Sequence, residues 1–179
     1  MEDGGRWVAG EFAILALFLA FYALGDGLIE LNMIAGAAAF ATGHIIAIWL
    51  YVRHRRRGAM SSQKLLAVTL FVLTPVIAYF LPGDVETGMQ VAAYAVVLGA
   101  MAAMAWNSNF PRYRVGIGAI LFVVSDWLIF ARLGPLAEYE ITQVAIWYLY
   151  YFGVLQIALG IVRTLEKRGQ PAILPMARV

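Results

Sequence analysis

Residues 33–52 read MIAGAAAFATGHIIAIWLYV, with no Asp, Glu, Lys or Arg. As a helix, this run rises about 30 Å at about 1.5 Å per residue, the thickness of a bilayer's hydrocarbon core. It ends in the cationic cluster RHRRR at Arg53–Arg57. An apolar run closed by such a cluster predicts a membrane span whose basic end stays on the cytoplasmic side. Similar runs lie on both sides, and six helices are expected: Trp7–Leu31, Met33–Val52, Gln63–Leu81, Thr87–Trp106, Tyr113–Arg132 and Glu140–Leu165. Short segments rich in Gly, Pro, Asn and Ser join them, which implies antiparallel neighbours.

Composition agrees. The 179 residues are 63% hydrophobic and 13% charged, where roughly 45–50% apolar is usual for a soluble domain. The fold class expected is all-α, a polytopic transmembrane bundle of about six spans. It forms a single domain over residues 1–166, with a cytoplasmic tail at 167–179. The first apolar run is too long for a cleaved signal peptide and lacks an A-x-A exit, so it reads as a retained helix. The absence of cysteine excludes disulfides, thiolate metal sites and a cysteine nucleophile. With all spans placed, Arg132 alone among the 13 basic residues falls on the face opposite the two termini. Both termini are therefore expected to be cytoplasmic. The arginine cluster abuts a membrane helix, so it reads as a topology signal touching anionic headgroups and not as a nucleic-acid patch.

Within the second run, GAAAFATGH at Gly36–His44 has a near copy in the fifth, GAILFVVSD at Gly118–Asp126. An offset of three helices means that the copies cross in opposite directions, which points to an inverted repeat of three helices. In each copy the residues at offsets 0, 4 and 8 share one helical face. Small residues on that face allow close helix contact. His44 and Asp126 should therefore face the bundle interior, where ionisable groups in membranes are tolerated. A third such group is Asp26, within ALGDGLIEL, where the flanking glycines free the backbone. All three fall in the outer half to the middle of the bilayer, so one site can collect them. Tyr148, Tyr150, Tyr151 and Gln156 lie at similar depth. Each ionisable group also has a structural reading: Asp126 as a polar clip, His44 as a bridge between helices, Asp26 as a solvated helix-end acid. Glu11 is expected to reach water or Arg6. No phosphate loop, nucleophile elbow, zinc-protease motif or dinucleotide fingerprint is present, and the two His lack ligand spacing, so no metal is expected.

The ordered set ALGD, GAAAFATGH, FPRYRVGIGAILFVVSD and LYYFG resembles the YhhN-like lysoplasmalogenase family of membrane proteins over nearly the whole chain. Asp26, His44, Ser125, Asp126, Tyr150 and Tyr151 occupy the family's motif positions. Two departures stand out. Family members usually have about eight spans, and this chain would begin at the third. The family's Gln falls at Val154, and Gln156 lies about 200° further round the helix. The resemblance implies a bacterial inner-membrane hydrolase that cleaves the vinyl ether bond of a lysophospholipid without metal or organic cofactor. Such chemistry needs an acid, a stabiliser of positive charge and a base for water. Carboxyls in apolar sites favour their protonated form, and two close together split into one neutral and one ionised. Asp126 is expected as the acid, Asp26 as its ionised partner and His44 as a proton relay or water-orienting group; the two carboxyl roles are interchangeable. Ser125, Tyr150 and Tyr151 would bind substrate. The phosphate would lie near Arg132 or, from the other side, near Arg112 and Arg114. Partners are then membrane lipids and the lysophospholipid, with the oligomeric state left open. The competing readings are a small-solute or proton-coupled transporter, or a non-catalytic lipid-binding protein.

Overall fold

The computed structural model describes residues 2–58 and 60–169, with side chains from Trp7 onward. It contains six α-helices: α1 (Glu2–Ile29), α2 (Met33–Arg53), α3 (Ser61–Phe80), α4 (Val85–Trp106), α5 (Ile117–Ala131) and α6 (Ile141–Gly169). A π-helical turn, Arg112–Gly116, leads into α5. All six spans are long and apolar enough to cross a membrane, the fifth counted with its π turn, so the chain is an integral membrane protein. α6 runs past the expected tail boundary at 166, which makes Lys167 and Arg168 helical. The rest of that tail, 170–179 with Arg178, lies outside the described residues.

Side-chain caps set the helix starts. Asn32 Oδ1 accepts the Ala35 N–H at 3.0 Å, and Asp84 Oδ1 accepts the Thr87 N–H at 2.9 Å. Each such cap contributes about 1 kcal/mol. The Asp84 bond starts α4 earlier than expected and holds the Asp84 carboxyl below its ordinary pKa. At the fifth span, Pro111 precedes the π turn, where a plain helix from Tyr113 was expected. Gly116, at the end of that turn, lies so close to the Trp106 ring that a Cβ would be 2.7 Å from it.

The helices pack as three hairpins, α1–α2, α3–α4 and α5–α6. Contacts of α2 with α4, α4 with α5, and α6 with α1 then close a ring of five helices. α3 stays outside, laid along α4 and lightly touching α5. The sequence of α4 accounts for its central place: six of its nine buried residues are small, Gly88, Ala95, Gly99, Ala102, Ala103 and Ala105, beside Val91, Leu98 and Met101. Without bulk, helices approach closely and gain dispersion contact that lipid cannot supply. α5 and α6 use the same device, because a Cβ on Gly118 would lie 2.6 Å from the Gly153 carbonyl oxygen, and one on Gly153 2.8 Å from that of Gly118. The repeated motif sits on α2 and α5, and its small faces do turn inward, with Gly36, Phe40, His44, Gly118, Phe122 and Asp126 all buried. The helix pairing itself does not repeat: α5 packs along α6, whereas α2 makes no contact with α3.

Candidate active site

The centre of the ring is aromatic. Phe122 of α5 lies with its ring 5.2 Å from Tyr22 of α1, 5.0 Å from His44 of α2 and 5.2 Å from Tyr150 of α6. Phe40 of α2 completes the layer, 5.9 Å from Tyr22 and 6.0 Å from Tyr150. The contacts of Phe122 with His44 and Tyr150, and of Phe40 with Tyr150, are edge-on, which matches ring quadrupoles. Gly43 and Gly25 make room for them: a Cβ on Gly43 would lie 2.6 Å from the Tyr22 ring, and one on Gly25 2.7 Å from the Phe40 ring.

Polar groups thread this layer on two sides. On one side, Tyr94 of α4 donates to Asp126 Oδ2 at 2.8 Å. The Tyr94 hydroxyl lies 3.1 Å from His44 Nε2, and His44 Nδ1 lies 2.8 Å from the Tyr22 hydroxyl. The four side chains come from four helices and form one unbroken hydrogen-bonded chain. Since Tyr94 donates to Asp126, its oxygen accepts from His44 Nε2–H; a neutral imidazole whose Nδ1 accepts from Tyr22 satisfies every contact of the chain. His44 is fully buried and Asp126 is 5% exposed. On the other side, Tyr150 donates to Asp26 Oδ2 at 2.8 Å. Phe122 stands between the two groups, touching His44 on one side and Tyr150 on the other.

Counted from the helix ends opposite the termini, these groups lie about 4 Å (Asp26), 8 Å (Asp126), 14 Å (Tyr94 and Tyr150) and 16 Å (His44) deep. Asp26 makes no hydrogen bond to Asp126 or His44 among the described residues; it reaches the layer through Tyr150. α1 runs unbroken through Gly25–Asp26–Gly27 to Ile29, so the flanking glycines do not interrupt the helix.

Other expected site residues lie elsewhere. Ser125 is buried and donates to the Ile146 carbonyl at 3.1 Å, which makes it a clip between α5 and α6. Tyr151 is 60% exposed on the outer face of α6, with its ring against Phe152. It does not line the centre, because the adjacent Tyr150 takes the inward position and the next residue points about 100° away. Arg132, the C-cap of α5, donates to Thr142 Oγ1 at 3.1 Å and borders an open cavity of about 390 Å³ with Glu140 and Gln143. Arg112 donates to the Trp106 carbonyl at the other end of the bundle. Glu11 does not reach water: it is 1% exposed, its Oε1 2.8 Å from Arg53 and its Oε2 3.1 Å from His54 Nε2. Among the described residues, no group of three or more His, Asp or Glu is placed to hold a metal ion.

A sequence model of the YhhN family matches residues 5–161. The chain belongs to the YhhN family. No curated protein and no solved structure was found to match it. The YhhN match includes all four residues of the central chain, Tyr22, His44, Tyr94 and Asp126. Two of that chain's members, Tyr22 and Tyr94, were not singled out from the sequence. A tyrosine in an apolar helix reads as packing, and the only available signal was its helical register, which puts Tyr94 on the same face as Val91 and Leu98, one turn away on either side. Val154, which stands where a YhhN glutamine was expected, packs partly buried against the core.

Proposed function

We propose that this YhhN-family protein is a membrane-embedded hydrolase that cleaves the vinyl ether bond of lysoplasmalogens, yielding a fatty aldehyde and a glycerophospho-ethanolamine or -choline. The observation that carries this reading is the buried Asp126–Tyr94–His44–Tyr22 chain, with a second carboxyl, Asp26, across Phe122. A vinyl ether is protonated on its β-carbon to give an oxocarbenium ion, water adds, and the hemiacetal collapses. Two carboxyls solve the related oxocarbenium problem in glycosidases.

In this scheme protonated Asp126 delivers its proton to the β-carbon, and ionised Asp26 faces the developing positive charge. Water then adds to the oxocarbenium carbon while Asp26 takes its proton. In the collapse, Asp26 returns that proton to the ether oxygen, the hemiacetal hydroxyl loses its proton to water, and the carbon–oxygen bond breaks. Asp26 is then ionised again, and Asp126 is left as a carboxylate that must regain a proton. The chain behind Asp126 supplies a route for reprotonation. A proton entering at Tyr22 moves the Tyr22 proton to His44 Nδ1, the Nε2 proton to Tyr94 and the Tyr94 proton to Asp126, so the imidazole changes tautomer and stays neutral at both ends of the transfer. Tyr150 orients Asp26, and Phe40 and Phe122 line the path of the alkenyl chain. Arg132 suits the phosphate better than Arg114, because it lies about 9 Å along α5 from Asp126 and Arg114 about 18 Å away.

Purified protein should release aldehyde from a lysoplasmalogen but not from its saturated alkyl-ether analogue. Asp126→Asn should abolish release while the protein keeps its helical circular dichroism and elution volume. Full activity in that variant overturns the assignment of Asp126, and absence of aldehyde from the wild type overturns the reaction. A proton-coupled carrier would use the same hydrogen-bonded chain. Substrate flux into proteoliposomes without aldehyde release would favour that reading, whereas the unbroken α1 supports the hydrolase, since carriers commonly unwind their helices at the site.

A further inference from the structure

At the opposite end of the bundle from Arg132, Arg55, Arg56, Arg57, Gly58, Lys64 and Asn107 line an open cavity of about 630 Å³. Four cations in one wall repel each other, and the backbone holds them there. Arg56 N–H donates to the Asn107 carbonyl at 3.0 Å, and Asn109 N–H donates to the His54 carbonyl at 2.7 Å. The Asn109 side-chain amide donates to the Arg55 carbonyl at 3.3 Å, and Arg56 Nε to the Ser108 carbonyl at 3.2 Å. The α2–α3 loop is thus stitched to the α4–α5 loop. Among the described residues, the ion pairs join Glu11 to Arg53 and His54; none involves the four cations of the cavity. The N-terminus of α3 adds to the positive field: its first turn has no acid and carries Lys64, where a helix dipole normally favours a negative group.

Membrane-facing surface continues directly from the cavity. Arg53 stacks over the Trp49 ring at 4.9 Å, and Val52, Met60, Leu65 and Val68 are exposed beside it, which places the cavity at headgroup depth. α2 and α3 both pack on α4 with no close backbone approach to each other, and the space over α4 between them is the furrow that acyl chains would enter. We propose that this cavity binds the phosphate of an anionic phospholipid whose acyl chains lie in the furrow between α2 and α3. The number of cations favours a headgroup with more than one negative charge, a phosphomonoester above a zwitterionic phosphodiester. The site is separate from the central carboxyls and does not depend on the reaction proposed for them.

Thermal unfolding of the full chain in neutral detergent tests this, with dioleoyl phosphatidate, dioleoyl phosphatidylcholine or inorganic phosphate added at equal concentration. Phosphatidate should raise Tm by about 5 °C, and the other two by less than a quarter of that. Arg55→Gln/Arg57→Gln/Lys64→Gln should lose the phosphatidate shift. An equal shift with phosphatidylcholine, or an undiminished one in the triple variant, overturns the proposal; an equal shift with inorganic phosphate overturns the lipid as occupant. If the triple variant does not fold, Lys64→Gln alone decides, because that exposed side chain makes no hydrogen bond among the described residues. It should weaken retention of phosphatidate several-fold by native mass spectrometry, and unchanged retention overturns the proposal.

Discussion

Tyr94 joins the histidine of α2 to the acid of α5 through one hydroxyl, 3.1 Å from His44 Nε2 and 2.8 Å from Asp126 Oδ2. Its ring also packs edge-on against Phe130 at 5.9 Å, so Tyr94→Phe keeps the packing and removes only the hydroxyl. Two buried groups are then left without a partner, which should lower stability by about 1–3 kcal/mol. If the chain reprotonates Asp126, aldehyde release should also fall by about 10²-fold or more. Initial rates and denaturation in one detergent check both effects, and a wild-type rate in the variant removes the relay from the scheme. His44, Asp126 and Asp26 were legible in the sequence because an ionisable group in an apolar span is costly and therefore conspicuous. Tyr22 and Tyr94 were not, because a tyrosine pays for burial with its ring and reveals nothing of its hydroxyl's partner until the neighbouring helix is known.

Between α5 and α6 the two backbones meet at Gly118 and Gly153. Gly153→Val would set a branched side chain against the Gly118 carbonyl and the Phe122 N–H, at 2.8 and 3.2 Å from the Cβ alone. Neither is a flexible side chain that can swing away, so the helices must separate. The expected cost is about 1–3 kcal/mol or more, read as a lower Tm, with a loss of aldehyde release as Phe122 and Asp126 move. The Gly118 contact was anticipated from its motif, and its partner Gly153 was not. The small-residue face of α5 identifies an inward face but not which helix fills it. The π turn was hidden for a related reason: Pro111 marks a break in the helix, whereas the width of the turn that follows depends on how Gly116 meets Trp106.

Across the whole molecule, one buried knot ties three helices at the basic end. Glu11 of α1 meets Arg53 at the end of α2 and His54 just beyond it, and Arg168 of α6 donates to His54 Nδ1 at 2.9 Å. Burial pushes the His54 pKa below its ordinary 6.5, with smaller opposing effects from Glu11. The folded state therefore favours the neutral ring, and the unfolded chain binds the proton first as pH falls. Stability should be fully present above pH ~6.5 and decline as pH falls through that value toward the folded pKa. Unfolding curves at pH 7.5 and 5.5 should show this decline, and His54→Gln should flatten it. An equal decline in the variant assigns the effect to other groups. The sequence by itself determined the number of spans, the basic end and the ionisable residues, since hydropathy and charge are read along one chain. Only the tertiary structure decided that five helices form the ring and α3 lies outside it, that Asp26 meets Tyr150 and not Asp126, and that Tyr151 faces outward. The reason is physical: in a membrane both the lipid-facing and the core-facing sides of a helix are apolar, so no hydrophobic stripe marks the inner face, and close packing and buried hydrogen bonds alone select the partners.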